Sequence, residues 1–364
     1  MNVKTILREL EKLAPPVYQE SYDNAGLIVG DFAMEVTGVL LCLDSIEAVV
    51  EEALAKGCNL IVAHHPIVFS GLKRLNGNNY VERTIIKAIK NDIAIYAIHT
   101  NLDNVMAGVN RKIADKLGLQ NLQILAPKSG LLQKLYTFCP ESHADAVRDA
   151  LFEAGAGNIG NYDECSFNLK GTGTFRGGTE TQPFIGQPGT RSEEPEIKLE
   201  VILPAARQRQ VIAALNKSHP YEEVAYDVVA LENEWQEVGS GMVGYLPEAL
   251  SEVDFLQHLK TAMQTQCIRH TALLDQPIEK VAVCGGAGRF LLSHAKRSGA
   301  QIFITSDFKY HEFFDADNDL IIADIGHYES EQFTAEILHT LLTEKFPNFA
   351  VRLSDINTNP INYF

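Results

Sequence analysis

The stretch VTGVLLCLDSIEAVVEEALAKGCNLIVAHHP, residues 36–66, decides the fold. It begins with an apolar run of strand length, continues with apolar residues at helical spacing up to Gly57, and ends in a second apolar run. A strand, a helix and a strand in this order predict two parallel strands joined by a right-handed crossover. His64 and His65 then stand at the carboxyl end of the second strand.

The same alternation continues along the first and last thirds of the chain. Residues 84–92 (TIIKAIKND) predict a helix, and residues 93–100 (IAIYAIHT) predict a strand. In the last third, residues 280–290 predict a strand that runs into a glycine turn, 290–299 a helix, and 301–307 and 320–327 two further strands. Residues 328–346 predict one amphipathic closing helix. The fold class is therefore α/β, with mostly parallel sheets in a two-lobed core.

The middle of the chain has a different texture. Residues 133–140 and 142–155 predict a strand and a helix, and 157–196 form a long stretch rich in Gly, Thr and Pro that is interpreted as a loop. A strand, a helix and a strand follow, which suggests a ferredoxin-like α+β module. We expect residues 129–234 to be an insert between two lobes, 1–128 and 235–364. Three consecutive domains are the alternative.

Composition and charge exclude several classes of protein. A net charge of −16 argues against nucleic acid as a main partner, because phosphate backbones bind basic surfaces. No apolar run is long enough to span a membrane, and the N-terminus lacks the pattern of a signal peptide. The six cysteines include no pair at CxxC spacing. A cytoplasmic protein is expected.

Polar residues with ligand chemistry follow several of the predicted strands. His64 and His65 close one strand, and Asp103 stands five residues after the last apolar residue of another. His327 and Glu331 are four apart, so a helix presents both on one face. Ligands of open α/β sheets bind beyond such strand ends. Three imidazoles and two carboxylates suit zinc, iron, manganese, cobalt or nickel, although each motif alone is common on protein surfaces.

Six segments make the chain recognisable as a whole. Together they strongly resemble the NGG-interacting-factor-like family, whose members are also labelled GTP cyclohydrolase I type 2 homologues. The segments are SYDNAGLIVGD (21–31), VAHHPIVFSGLK (62–73), HTNLDNV (99–105), VAVCGGAGRF (281–290), TSDFKYHEFFDA (305–316) and IGHYESE (325–331).

The resemblance implies a site for two divalent metal ions per chain, with zinc, iron and manganese as the first candidates. It implies that Glu331 bridges both ions, that His65 and Asp103 bind one, and that His64 and His327 bind the other. It further implies that the insert resembles nitrogen-regulatory PII-like modules, and that the protein assembles as a toroidal homohexamer.

Two functions from different classes are compatible with such a site. Two divalent ions held by two carboxylates keep an excess of positive charge, which favours an activated water and a small anionic or phosphorylated substrate. This predicts a metal-dependent hydrolase that opens a purine ring or cleaves a phosphoester. The alternative is a metal-binding regulatory or scaffold protein without turnover, in which the insert recognises a partner.

Further residues are expected around the metal ligands. Asp44 and Asp307 follow strands and could hold an imidazole from behind, while His99 and His311 could line the pocket. Lys309 could meet a phosphate there. The backbone N–H groups of the glycine turn, at Gly285, Gly286 and Gly288, could bind an anion.

Overall fold

The computed structural model describes the whole chain, Met1–Phe364. The chain divides into two compact units, one made of residues 1–127 and 237–364 and the other of residues 128–236. In chain order the strands are β1 (Gly26–Val29), β2 (Val39–Asp44), β3 (Leu60–His65), β4 (Ala94–Ala97), β5 (Gln120–Lys128), β6 (Leu132–Pro140), β7 (Ser166–Phe175), β8 (Ser192–Pro204), β9 (Tyr226–Leu231), β10 (Trp235–Leu250), β11 (Arg269–His270), β12 (Ile278–Ala287), β13 (Ile302–Ser306), β14 (Ile321–Asp324) and β15 (Val351–Leu353). The helices are α1 (Val3–Leu13), α2 (Glu47–Ala55), α3 (Tyr80–Lys90), α4 (Thr100–Asp103), α5 (Val109–Leu117), α6 (Ala144–Glu153), α7 (Gln208–Ser218), α8 (Glu252–Ala262), α9 (Leu292–Ser298), α10 (His327–Glu331) and α11 (Thr334–Lys345). None of the helices combines the length and the apolar character that a membrane crossing requires.

The first unit contains two sheets with parallel centres. One has the strand order β1-β4-β3-β2-β15, and only the pair β1–β4 is antiparallel. The other has the order β11-β14-β13-β12-β10-β5, with parallel pairing from β12 to β14. The central strands β2 and β3 are buried along nearly their whole length, as parallel strands covered on both faces are. The predicted α/β class with mostly parallel sheets is confirmed.

Each of the two sheets of this unit contains one strand from the part of the chain that forms the other sheet. β15 comes from the last residues of the chain, yet it pairs with β2 in parallel, with Val351 opposite Val39. Conversely, β5 precedes the insert but joins the sheet that β10 to β14 form. The lobes therefore do not coincide with residues 1–128 and 235–364. A three-residue edge strand such as β15 carries too short an apolar pattern to be recognised in advance.

The second unit is a four-stranded antiparallel sheet with two helices. Its chain order is β6-α6-β7-β8-α7-β9, and its strand order is β7-β8-β6-β9. This is the ferredoxin-like βαββαβ arrangement, with α6 and α7 covering a core of its own. The interpretation of 157–196 as one loop is wrong, because β7 lies inside it and pairs with β8 from Ser166 to Phe175. Since β7 is an exposed edge strand rich in Gly and Thr, it shows no apolar alternation.

The predicted closing helix is interrupted near its start. A break at Gln332 and Phe333 separates the short α10 from α11. The short helix is the element that carries His327 and Glu331, and it follows β14 after only Ile325 and Gly326. Both side chains therefore start at the carboxyl end of a central parallel strand.

Gly108 packs closely against the turn that carries Asp103. A Cβ at Gly108 would lie 1.7 Å from the carbonyl oxygen of Leu102, and a backbone atom cannot move aside cheaply. We expect Gly108→Ala to lower the midpoint of thermal unfolding by roughly 5 °C or more. Gly71→Ala is the matched control, because nothing lies within 4 Å of a Cβ there. Equal midpoints for the two variants in a thermal melt would contradict this packing.

Candidate metal centre

The five predicted ligands lie together at the strand ends of the two sheets. β3 ends in His64 and His65, and α4, a single turn after β4, ends in Asp103. α10 carries His327 and Glu331 one helical turn apart. The carboxyl ends of parallel strands from two sheets thus supply all five side chains, although His65 and Glu331 are 266 residues apart in the chain.

The carboxylate of Glu331 lies at the centre of this group. Its Oε2 is 2.9 Å from His65 Nε2 and 3.1 Å from His327 Nε2, and these two nitrogens are 3.3 Å apart. Its Oε1 is 3.9 Å from His64 Nε2, which in turn is 3.6 Å from Asp103 Oδ1. The Glu331 side chain is only 3% exposed. One buried carboxylate therefore contacts nitrogen donors on both sides.

Four imidazoles around the centre are held by their other ring nitrogen. The Nδ1 atoms of His64, His65, His99 and His327 lie 2.9, 2.8, 2.7 and 2.6 Å from Ile98 O, Asp44 Oδ1, Asp23 Oδ1 and Asp307 Oδ2, respectively. All four partners accept hydrogen bonds, so each Nδ1 carries the proton and donates it. The Nε2 atoms then remain as the possible ligand atoms, in the arrangement that metal-binding histidines usually have.

Two atoms of the group lack any hydrogen-bond partner. They are His64 Nε2 and Asp103 Oδ1, both of which are inaccessible to solvent. An unpaired buried polar atom costs about 1–3 kcal/mol, so two that face each other indicate a missing ligand. Three groups of donors are close enough to hold a metal ion: His65, His327 and Glu331; His64, Asp103 and Glu331; and His64, His65 and His99. The residues present therefore fit a metal ion.

The grouping of these donors differs from the pairing that the resemblance implies. The resemblance places His65 with Asp103 and His64 with His327. In the structure His65 lies beside His327, and His64 lies beside Asp103. Both arrangements share Glu331, because its two oxygens face opposite sides of the group.

The buried negative charge of Glu331 is compensated by protonated imidazoles. Burial disfavours ionisation, yet the imidazoles around Glu331 hold the pKa of its carboxyl well below the usual value. Burial also disfavours a protonated imidazole, but carboxylates at both ring nitrogens raise the pKa of His65 to about 9 and that of His327 to about 11. Burial and the nearby Glu331 raise the pKa of Asp103 to about 7. The protons on His65, His327 and Asp103 therefore occupy positions at which a bound cation could replace them.

The residues predicted to surround the ligands divide into two sets. Asp44 and Asp307 accept the Nδ1 hydrogen bonds of His65 and His327, and His99 faces the group from a third side. Lys309 and His311 lie apart from it. The His311 ring packs against Tyr310 and Phe314, and neither Lys309 nor His311 lines the cavity above the ligands.

The glycine turn does not offer free donors for an anion. The N–H groups of Gly285, Gly286 and Gly288 already donate to Asn110 Oδ1, Ser330 Oγ and Thr305 Oγ1. The expectation of an anion site there is therefore wrong. Gly286 instead makes room for Glu331, because a Cβ on Gly286 would lie 2.5 Å from Glu331 Oε1, and its φ of +62° also favours glycine.

A cavity of about 510 Å³ opens above the donor group. Its floor includes His65, Asp103, His327 and Glu331. The walls combine aromatic side chains with a glycine turn and part of the C-terminal segment: Tyr22, Phe69, Phe290 and Tyr328, residues 285–287, and Asn359, Pro360 and Ile361. A cavity of this size with polar groups at its floor is typical of small-molecule sites.

Sequence reasoning missed two contributors to this site. Asp23 lies within the quoted SYDNAG segment, but its partnership with His99 has no local signal, since the two residues are 76 apart. The other is Thr358, in the last residues of the chain (354–364), whose hydroxyl donates a hydrogen bond of 2.5 Å to Asp44 Oδ2. A single threonine in an irregular segment has no pattern that would have revealed this contact.

The fold and the donor group define an α/β protein with a histidine–carboxylate centre that could bind metal. The profile of the Duf34/NIF3 (NGG1p interacting factor 3) family matches residues 1–360. A relative from Halalkalibacterium halodurans, named GTP cyclohydrolase 1 type 2 homolog, is 41% identical over 100% of this chain and 99% of its own length. A Bacillus subtilis relative of the same name is 36% identical with the same coverage.

A solved structure shows the same architecture. The Bacillus cereus protein related to NIF3 has a TM-score of 0.90 and 39% identity, over 100% of this chain and 99% of that one. The chain belongs to the Duf34/NIF3 family, and the resemblance inferred from its six segments is confirmed.

Asp23 offers a test of the hydrogen bonds behind His99. Burial raises its pKa, but hydrogen bonds from His99 and Thr100 lower the pKa to about 2, against an ordinary value of 3.8. A depressed pKa stabilises the folded state above the ordinary value, and this stability is lost as pH falls towards 2. We expect Asp23→Asn to cost about 2 kcal/mol at pH 7 and about half of that near pH 3.

The measurement is urea unfolding of both proteins across this pH range. Asp149→Asn serves as the control, because Asp149 is exposed and should show no such difference. A penalty for Asp23→Asn that stays constant down to pH 3 would contradict the assignment.

Proposed function

We propose that this chain binds two divalent metal ions and uses them to hydrolyse a nucleotide or another phosphorylated small molecule. One observation carries the metal proposal. Two sets of three donors, His65 with His327 and His64 with Asp103, share Glu331, and buried ligand atoms in the second set lack any other partner. A single carboxylate between two donor sets suits a two-metal site, because each of its oxygens can serve a different ion.

The chemistry of the donor atoms limits which metal ions could bind. Three imidazole nitrogens and two carboxylates, with no thiolate among them, suit zinc, iron, manganese, cobalt or nickel, and the resemblance to the family makes zinc, iron and manganese the first candidates. The hydrogen bonds at the Nδ1 atoms hold the imidazoles in the tautomer that a metal ion needs. When bound, the ions would supply Lewis acidity and positive charge at the floor of the cavity.

The remaining residues of the site suit substrate binding and proton transfer. Tyr22 and Phe69 form an aromatic wall, with ring centroids 6.3 Å apart, against which a planar group could pack. His99 Nδ1–H donates a hydrogen bond to Asp23 Oδ1, so its Nε2 lone pair is free to face the ligands. The hydrolase proposal draws further support from the name that the relatives carry, GTP cyclohydrolase 1 type 2 homolog.

Other properties implied by the resemblance belong to the same proposal. They are assembly as a toroidal homohexamer, a cytoplasmic location and a PII-like character of residues 129–234. A size measurement in solution tests the assembly directly. A hexamer of this chain would have six times its mass of 40.2 kDa.

Metal content tests the binding proposal. Protein reconstituted separately with zinc, iron or manganese and then desalted should retain about two ions per chain with at least one of them. Because Glu331 lies between both donor sets, Glu331→Ala should lose both ions, whereas His65→Ala should lose mainly one. His311→Ala is the matched control, since its ring contacts Tyr310 and Phe314 rather than the donor group. Less than one ion per wild-type chain by elemental analysis would refute the two-metal site.

Turnover tests the hydrolase proposal separately. Metal-loaded protein should hydrolyse GTP or a generic phosphoester, and Glu331→Ala should lower kcat by at least about 100-fold. Release of formate would identify opening of the purine ring, and release of phosphate would identify phosphoester cleavage. A metal-loaded wild type that turns over none of these substrates would favour the regulatory or scaffold function.

A further inference from the structure

The last residues of the chain form an extended segment that reaches the site. Residues 354–364 follow β15 without further helix or strand. Three acidic side chains of the same unit hold this C-terminal segment. Glu52 accepts from Asp355 N at 2.7 Å, Asp44 accepts from Thr358 Oγ1 at 2.5 Å, and Glu329 accepts from Asn359 Nδ2 at 3.0 Å. Hydrogen bonds therefore hold the segment to the rest of the unit at residues 355, 358 and 359.

None of the apolar side chains of the C-terminal segment is fully buried. Ile356, Ile361 and Tyr363 are 36%, 52% and 39% exposed. Thr358 and Asn359, by contrast, are half-buried and directed at carboxylates beside the candidate metal ligands. Since hydrophobic burial is the main source of folding free energy, this segment contributes less to the core than to the site.

Thr358 is the start of a chain of hydrogen bonds that ends at Glu331. Its hydroxyl donates to Asp44 Oδ2, and Asp44 Oδ1 accepts from His65 Nδ1 at 2.8 Å. His65 Nε2 then lies 2.9 Å from Glu331 Oε2. The two donors occupy different oxygens of the Asp44 carboxylate. An aspartate carboxylate turns easily about its last torsion, so a contact at one oxygen alone would leave its orientation loose.

We propose that Thr358 is a positioning residue, which orients the His65 imidazole for metal binding through Asp44. Neighbouring residues Asn359, Pro360 and Ile361 line the cavity, so the same segment forms one wall of the site. The proposal rests on the proposed function, because it assigns to the C-terminal segment a role in metal binding. Mutation of a residue that hydrogen-bonds a metal ligand from behind typically lowers the affinity for the metal by 10- to 100-fold.

Cobalt(II) is the probe, because its visible spectrum reports the geometry of its ligands. Thr358→Val removes the hydroxyl and keeps the shape of the side chain. It should weaken cobalt binding about tenfold, measured by competition with a chelator, and change the spectrum of the bound ion. Thr358→Ser keeps the hydroxyl and should restore both properties. Thr340→Val is the matched control, since the Thr340 hydroxyl bonds only the Glu336 carbonyl of its own helix.

A second comparison separates an effect through Asp44 from a general loosening of the fold. In an Asp44→Ala background, adding Thr358→Val should cause no further loss of cobalt affinity. A further tenfold loss there, or wild-type affinity and spectrum for Thr358→Val alone, would overturn the proposal. Failure of the wild type to bind cobalt would instead refute the metal site itself, and the positioning role with it. Thermal melts of the cobalt-free proteins should agree within a few degrees, since Thr358 is only half-buried and Thr358→Val keeps the size of the side chain.

Discussion

The carboxylate of Glu331 is a charge that the fold could not bury alone. Removing an isolated carboxylate from water costs many kcal/mol, and proteins tolerate this only where partners compensate. Here the partners are His65 and His327, which come from the ends of two different sheets. The two sheets of the first unit must therefore present their strand ends to each other. The placement of β3 and of α10 follows from that requirement.

Hydrogen bonds at the Nδ1 atoms hold the imidazoles of the site in place. Each Nδ1 atom has one acceptor, and three of these acceptors are carboxylates from separate parts of the first unit: Asp23, Asp44 and Asp307. Every ring is thereby held with Nε2 towards the centre, and the donors need little reorganisation to receive an ion. Gly286 contributes in the opposite way, by having no side chain where Glu331 must approach. The site is preorganised by what surrounds it.

The two units of the chain solve different packing problems. In the first unit, parallel strands are covered on both faces, so their sequences are nearly continuous apolar runs. The second unit is an antiparallel sheet with helices on one face, and its edge strand β7 is mostly exposed. This difference explains why β2, β3 and β4 were recognisable from the sequence while β7 was interpreted as a loop.

The sequence by itself determined the α/β class, the ferredoxin-like character of the middle without its strand β7, and the five side chains with ligand chemistry. These depend on local periodicity and on residue type, such as the apolar runs that end at His64 or the helical spacing of His327 and Glu331. Only the tertiary structure decided which donors are neighbours, that β5 and β15 exchange between sheets, and that Asp23 and Thr358 support the imidazoles. It also showed that Lys309 and His311 lie away from the cavity and that the N–H groups of Gly285, Gly286 and Gly288 already have acceptors. The physical reason is that these features depend on contacts between residues tens to hundreds of positions apart. A local pattern along the chain carries no information about such contacts.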